Sequence, residues 1–240
     1  MSYLDHLREL RNRLLFCFAF LFSSFLVCFY FSDIIAKILI NPLFQITEND
    51  GKRMIFTSLP EIFTSNLKIS LFTSFLCSFP LFIMQFFFFI SPALYKKEKK
   101  FFSPILILIP ILFTLGLVFS YFFLIPVVWN FFLSFENLLD GSLNVELESK
   151  YSEYMKLTMN LLFASGLSFL FPILLIALAK LKILSVNQLK KNRKFFALGI
   201  IIFSAIVTPP DLISQIGIAI PLLIFYEISI IFIHSFILKK

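Results

Sequence analysis

The sequence predicts an all-α, polytopic membrane fold, on three observations. Apolar stretches of about 20 residues, long enough to cross a hydrocarbon core of about 30 Å, recur along the whole chain. The composition is 59% hydrophobic with a mean hydropathy of +0.93, far outside the range of soluble globular domains. Lysines and arginines also collect in alternate connections, as the positive-inside rule requires. Six spans are read, at residues 14–31, 69–90, 102–125, 157–179, 195–207 and 213–238. Little chain is left outside them, so residues 1–240 are expected to form a single six-helix membrane domain.

At the N-terminus, Ser2 and Asp5 have capping-box spacing, and Leu4, Leu7, Leu10 and Leu14 recur at helical intervals. Residues 2–13 are therefore expected to form an amphipathic helix along the interface, with Arg8, Glu9 and Arg13 on its polar flanks. The apolar run after it exceeds the h-region of a signal peptide and lacks a small-x-small cleavage site, so the first span is read as retained. The first outer connection, 32–67, contains Asn41-Pro42-Leu43, Gly51 and Thr57-Ser58-Leu59-Pro60-Glu61-Ile62-Phe63. Its prolines and glycine should break it into short interfacial helices. The second, 126–156, is acidic, with Glu136, Asp140, Glu146, Glu148 and Glu153.

The third outer connection is only Thr208-Pro209-Pro210-Asp211, and Asp211 is placed to cap the sixth helix. It leaves the fifth span roughly 20 Å long, too short to cross a bilayer core unaided. Pro80, Pro104, Pro110, Pro172 and Pro221 interrupt other spans. Kinked helices enclose curved surfaces, which predicts a concave helical shell.

Six spans put both termini on one side. That side carries Arg8, Arg11, Arg13, Lys96, Lys97, Lys99, Lys100, Lys180, Lys182, Lys190, Lys191, Arg193, Lys194, Lys239 and Lys240. Its acids are Asp5, Glu9 and Glu98, whereas the opposite side is predominantly acidic. Both termini are predicted to be cytoplasmic, or stromal or matrix-side in an organelle. Glu9 and Glu98 then share one face.

The net charge of +7 is accounted for by topology signals and anionic headgroups, with no call for nucleic acid. The 36 phenylalanines read as lipid-facing filler. Cys17, Cys28 and Cys77 lie within apolar spans without metal-ligand spacing, so no metal or disulfide is expected. His6 and His234 stand near opposite ends, and no Gly-x-Ser-x-Gly, His-Glu-x-x-His or phosphate-binding loop occurs. No cofactor and no enzymatic chemistry are predicted.

Glu227 is the one carboxylate well inside a span and reads equally as a structural partner or a functional group. Gln85 and Gln215 suit interhelical hydrogen bonds. Locally, Glu9 reads as an i,i+4 partner of Arg13 and Glu98 as a balancing charge among lysines. Exposed pairs of that kind contribute only about 0–1 kcal/mol.

Taken in order, these pieces resemble the TatC family, the multispanning core subunit of the twin-arginine protein translocase. The matching residues are His6-Leu7-Arg8-Glu9-Leu10-Arg11-x-Arg13-Leu14, Asn41-Pro42-Leu43, Pro60-Glu61-x-Phe63 with Lys68, and Pro80 with Gln85. They continue with Phe89-x-x-Pro92-x-Leu94-Tyr95-x-x-Glu98 and Phe119-x-Tyr121-Phe122-x-x-x-Pro126. Last come Thr208-Pro209-Pro210-Asp211-x-x-Ser214-Gln215, and Pro221 with Glu227.

The resemblance implies a glove-shaped six-helix protein of the bacterial cytoplasmic (inner) membrane, or of an organelle. It implies recognition of twin-arginine signal peptides at the cytoplasmic face and assembly with TatA-type and TatB-type single-span subunits. A homo-oligomer within the receptor complex and transport of folded cargo driven by the proton-motive force are implied as well. Glu9 and Glu98 become the signal-peptide site, each taking a guanidinium through paired charge-assisted bonds. Arg8, Arg11 and Lys97 around them disfavour a general cation. Pro42, Glu61, Gln85, Asp211, Gln215 and Glu227 are the further polar or structural positions.

One departure stands out. The family commonly has a polar or acidic residue just before the fourth-span proline, and here Leu170 precedes Phe171-Pro172. Ser165 and Ser168 are the polar residues left nearby. A small-solute secondary transporter is the alternative function, but the third and sixth spans share no pattern of related halves. An intramembrane enzyme ranks third, for want of a nucleophile and base.

Overall fold

The structure is a computed structural model and describes residues 3–46, 54–93, 96–134, 150–208 and 211–236. Side chains 3, 4, 93–98, 101, 102 and 236 are outside that description, as are the Ser2 cap and the Pro209-Pro210 turn. Among the described residues every regular element is helical: α1 Tyr3–Tyr30, α2 Ser32–Ile46, α3 Glu61–Ile90 and α4 Lys96–Phe119 come first. A π-helical turn at Ser120–Leu124 follows, then α5 Ile125–Ser134, α6 Tyr151–Lys180, α7 Val186–Lys191, α8 Arg193–Val207 and α9 Leu212–Phe236. Five helical stretches are long and apolar enough to cross a membrane: Asp5–Tyr30, Glu61–Ile90, Ser103–Ser134, Tyr151–Lys180 and Leu212–Ser235. α8, with 15 residues, extends about 22 Å.

The helices overrun the predicted spans. α3 starts at Glu61 rather than residue 69 and is about 45 Å long at 1.5 Å per residue. Its first two turns carry Ser65, Asn66 and Lys68, which suit an extension beyond the hydrocarbon. In the first outer connection α2 runs unbroken through Pro42, where a break was expected; the break expected at Gly51 lies outside the described residues. The helix after α4 likewise runs to Ser134, past the boundary expected at Pro126. Pro126 brings no N–H, and the π turn before it takes up the mismatch, with the Ile125 N–H donating to Ser120 O.

The chain divides into two compact units. The first comprises Met1–Asn41, Ile55–Ile111 and Lys150–Met155. Here α1 lies along α3, whose buried Ser65, Ser70, Ser74 and Ser78 form a face of small side chains. Small residues let helices approach closely in a membrane. Two of the hydroxyls bond locally, Ser70 Oγ to Asn66 O at 2.7 Å and Ser74 Oγ to Leu71 O at 2.8 Å, whereas Ser78 Oγ is buried with no hydrogen-bond partner among the described residues. Cys17 and Cys28 are buried, whereas Cys77 is exposed on α3.

The second unit comprises Pro42–Met54, Leu112–Ser149 and Lys156–Lys240. A close crossing joins α4 and α6: a Cβ on Gly116 would lie 2.7 Å from Ser165 O and 2.9 Å from Gly166 Cα. Ser165 Oγ donates to Gly116 O at 2.8 Å across the same crossing. α8 and α9 form a hairpin, with the Gln215 side chain donating to Ile201 O at 3.4 Å. α7 carries a Ser185–Gln188 capping box and buries Leu189, whose carbonyl accepts from Tyr226 Oη at 2.8 Å.

Candidate functional site

Charged residues predicted to lie on the interface come together where α1 meets the last turns of α3. Glu9 Oε1 accepts from Arg13 Nε at 3.0 Å and from Arg13 Nη2 at 2.6 Å. Arg13 Nη1 donates to Gln85 Oε1 at 2.9 Å, so the predicted interhelical bond of Gln85 is formed, and its partner is Arg13. The guanidinium carbon also lies 5.9 Å from the centre of the Phe88 ring, within range of a cation–π contact. His6 stacks on Phe89 at 4.3 Å, and its Nδ1 is 3.8 Å from Glu9 Oε2.

Asp5, Arg8, Glu9, Asn12, Arg13, Phe16 and Gln85 line an open cavity of about 540 Å³ around this cluster. Arg8 and Arg11 are exposed, and among the described residues Arg11 makes long contacts to Asn12 Oδ1 at 3.3 and 3.4 Å. The Glu9 carboxylate thus has its two oxygens in different settings. Oε1 is saturated by a forked arginine, and Oε2 has only the distant His6 contact among the described residues. The side chains of Glu98 and Lys97 lie outside the described residues, although α4 begins beside them at Lys96.

The other predicted positions serve local structure. Glu61 is buried at the first residue of α3, and its Oε2 accepts from the Thr57 N–H at 2.8 Å, Thr57 Oγ1 at 3.2 Å and the Ser58 N–H at 3.3 Å. Its Oε1 accepts from Ser152 Oγ at 2.6 Å, which ties α3 to the start of α6. Tyr151 Oη donates to Asn66 Oδ1 at 2.8 Å beside it. Pro42 is buried within α2. Asp211 Oδ2 accepts from the Ser214 N–H at 2.7 Å and caps α9 as expected.

Glu227 is not an isolated acid deep in a span. Its Oε2 accepts from Arg193 Nη2 at 2.9 Å, and both side chains are about half exposed. Arg193 opens α8, so the antiparallel hairpin brings Glu227 level with the basic connection before it. Of its two sequence readings, the structure supplies the structural partner. Ser168 Oγ donates to Ala164 O at 2.7 Å, and Leu170 lines an apolar cavity beside it. Sequence reasoning treated Arg13 only as a helix partner of Glu9; its reach to Gln85 and Phe88 depends on tertiary packing.

Long apolar helices with a polar, aromatic-backed charge cluster where α1 meets α3 define an integral membrane protein of the multispanning helical class. Residues 5–221 match the family described as Sec-independent protein translocase protein (TatC). A Rickettsia prowazekii (strain Madrid E) protein of that name is 42% identical over 230 residues, covering 96% of this chain and 91% of the relative. The Escherichia coli (strain K12) protein of that name is 31% identical over 236 residues, covering 98% and 89% respectively. The chloroplastic protein of Pisum sativum is 34% identical, covering 94% of this chain and 62% of that one. Crystal structures of the twin-arginine translocase receptor TatC superpose with TM-scores of 0.78 and 0.80 at 34% identity. Both cover 94% of this chain, and 96% and 98% of theirs. The chain belongs to the TatC family. That is a family of transport proteins rather than enzymes.

Proposed function

We propose that this chain is the receptor and core subunit of a twin-arginine protein translocase. It forms one six-helix domain in a bacterial cytoplasmic (inner) membrane, with α8 as its short fifth crossing and both termini cytoplasmic. Twin-arginine signal peptides of folded cargo dock at the cytoplasmic face, where Glu9 and Glu98 each take one guanidinium. Arg8, Arg11 and Lys97 repel cations that cannot form paired bonds. TatA-type and TatB-type single-span subunits assemble with it, the chain is a homo-oligomer within that complex, and the proton-motive force drives transport.

The observation that carries this reading is the state of Glu9. Its carboxylate, about one-quarter exposed, already holds a guanidinium in a forked contact through Oε1. Its position at an open cavity with Oε2 lightly engaged suits a second arginine arriving from outside. Charge-assisted bonds of this kind are about twice as strong as neutral ones, and lysine lacks the fork.

The test is photocrosslinking of a twin-arginine peptide, with a twin-lysine control, to the wild type and to Glu9→Ala, Glu98→Ala and the double variant. Each single variant should lose twin-arginine crosslinking, because truncating one partner of a desolvated charge pair costs about 2–5 kcal/mol. Unchanged crosslinking in the double variant would overturn the site.

A further inference from the structure

An apolar cavity lies within the second unit. It measures about 860 Å³ and runs between α6 and α8, with Leu170, Leu174, Phe196, Gly199 and Phe203 among its walls. That volume is within the roughly 300–1,000 Å³ of ligand sites. Along α8 the lining reaches from Asn192 to Phe203, about 16 Å of helix. Ser168 and Asn192 are the polar residues in its wall, and Ser168 Oγ is already spent on Ala164 O at 2.7 Å. Asn192 sits at one end. A hydroxyl-rich or charged solute would find almost no partner along the length of this groove, and unpaired polar groups are costly there.

The Asn192 end is strongly basic. Lys190 and Lys191 occupy the last turn of α7, and Arg193 and Lys194 open α8. Arg193 is held by Glu227 at 2.9 Å, and Lys190, Lys191 and Lys194 are exposed. Lys194 Nζ lies 5.3 Å from the ring centre of Phe195, which lines the groove. At Gly199 an added Cβ would meet no atom within 4 Å, so the groove is open at its middle. An elongated apolar slot with a cationic end fits a molecule with an apolar tail and an anionic head.

We propose that the α6–α8 groove is a binding site for an anionic phospholipid. One acyl chain lies against Leu170, Gly199 and Phe203, and the phosphate lies among Lys190, Lys191 and Lys194. A partner's transmembrane helix or a second copy of this chain would fill the apolar slot but leave the basic end unmatched, and the charge decides for the lipid. The site is independent of the signal-peptide reading.

The test uses nanodiscs containing equal amounts of phosphatidylglycerol and phosphatidylcholine with identical acyl chains, read by native mass spectrometry of the released protein. The wild type should retain phosphatidylglycerol in preference. Each lysine near a headgroup strengthens binding roughly fivefold, so Lys190→Gln, Lys191→Gln and Lys194→Gln together should lower that preference by up to about a hundredfold. Gly199→Phe should abolish retention by filling the open slot, with an unchanged thermal melt showing that the helices still pack. A photoreactive residue at position 199 should label lipid. Equal retention of the two lipids by the wild type, retention undiminished in Gly199→Phe, or labelling of a protein instead of lipid would each overturn the proposal.

Discussion

Glu61 closes a junction that no single helix could close. Its two oxygens gather the N–H groups of Thr57 and Ser58 and the hydroxyl of Ser152, which is 91 residues away. As the first residue of α3 it also meets the positive end of the helix dipole. Glu61→Ala should lower the melting temperature of the purified protein markedly, and Glu61→Gln by less, because the amide keeps one acceptor. A scanning-fluorescence melt with the three proteins in any other order would contradict this role. Glu227 is the opposite case: its pair with Arg193 is half exposed, and exposed pairs contribute about 0.2–1 kcal/mol. Glu227→Gln should therefore shift the melt little and leave transport of a folded reporter intact. Abolished transport with an unchanged melt would restore a functional acid.

At the scale of the element, the α4–α6 crossing is set by two glycines in backbone contact. Since a Cβ on Gly116 would fall 2.7 Å from a backbone oxygen, Gly116→Val must push the helices apart. Overpacking of this kind typically costs about 1–3 kcal/mol, which should show as a lower melting temperature and a smaller membrane-extracted yield. Asp211→Ala removes the α9 cap and should cost about 1 kcal/mol, measured in the same melt. The helices themselves were legible in the sequence, because long apolar runs admit few other structures in lipid. Their ends were not. Polar first turns such as Glu61–Lys68 extend a helix beyond the hydrocarbon without leaving a hydropathy signal, and the π turn before Pro126 hides the continuation into α5.

For the whole molecule, proposed topology makes the sharpest demand. Cysteines at positions 208 and 211 should react with a membrane-impermeant maleimide added from outside, and cysteines at 6 and 193 only after the membrane is opened. The reverse pattern would invert the orientation. Charge bias gives an expected sidedness from Lys and Arg alone, which the labelling tests, whereas the Glu9 cluster was legible only in part. Glu9 and Arg13 share a helix face and could be paired by counting. Gln85 joins them across 72 residues, and no local pattern encodes that. The empty space beside Gly199 was hidden for the same reason, since a groove is a property of two helices and neither sequence segment announces it.

The Arg13 contact gives the proposed receptor a resident competitor. An incoming signal-peptide arginine meets at Oε2 a carboxylate whose Oε1 already holds the protein's own guanidinium, so the resident and the arriving cation share one negative charge. Their mutual repulsion lowers the affinity, which holds it moderate and favours release once cargo has moved on. Replacing Arg13 with Gln should tighten peptide binding, slow dissociation and relax discrimination against peptides with a single arginine, all readable from dissociation rates of a fluorescent signal peptide. A faster release from Arg13→Gln would mean that this arginine holds the carboxylate in place for the peptide and does not compete with it.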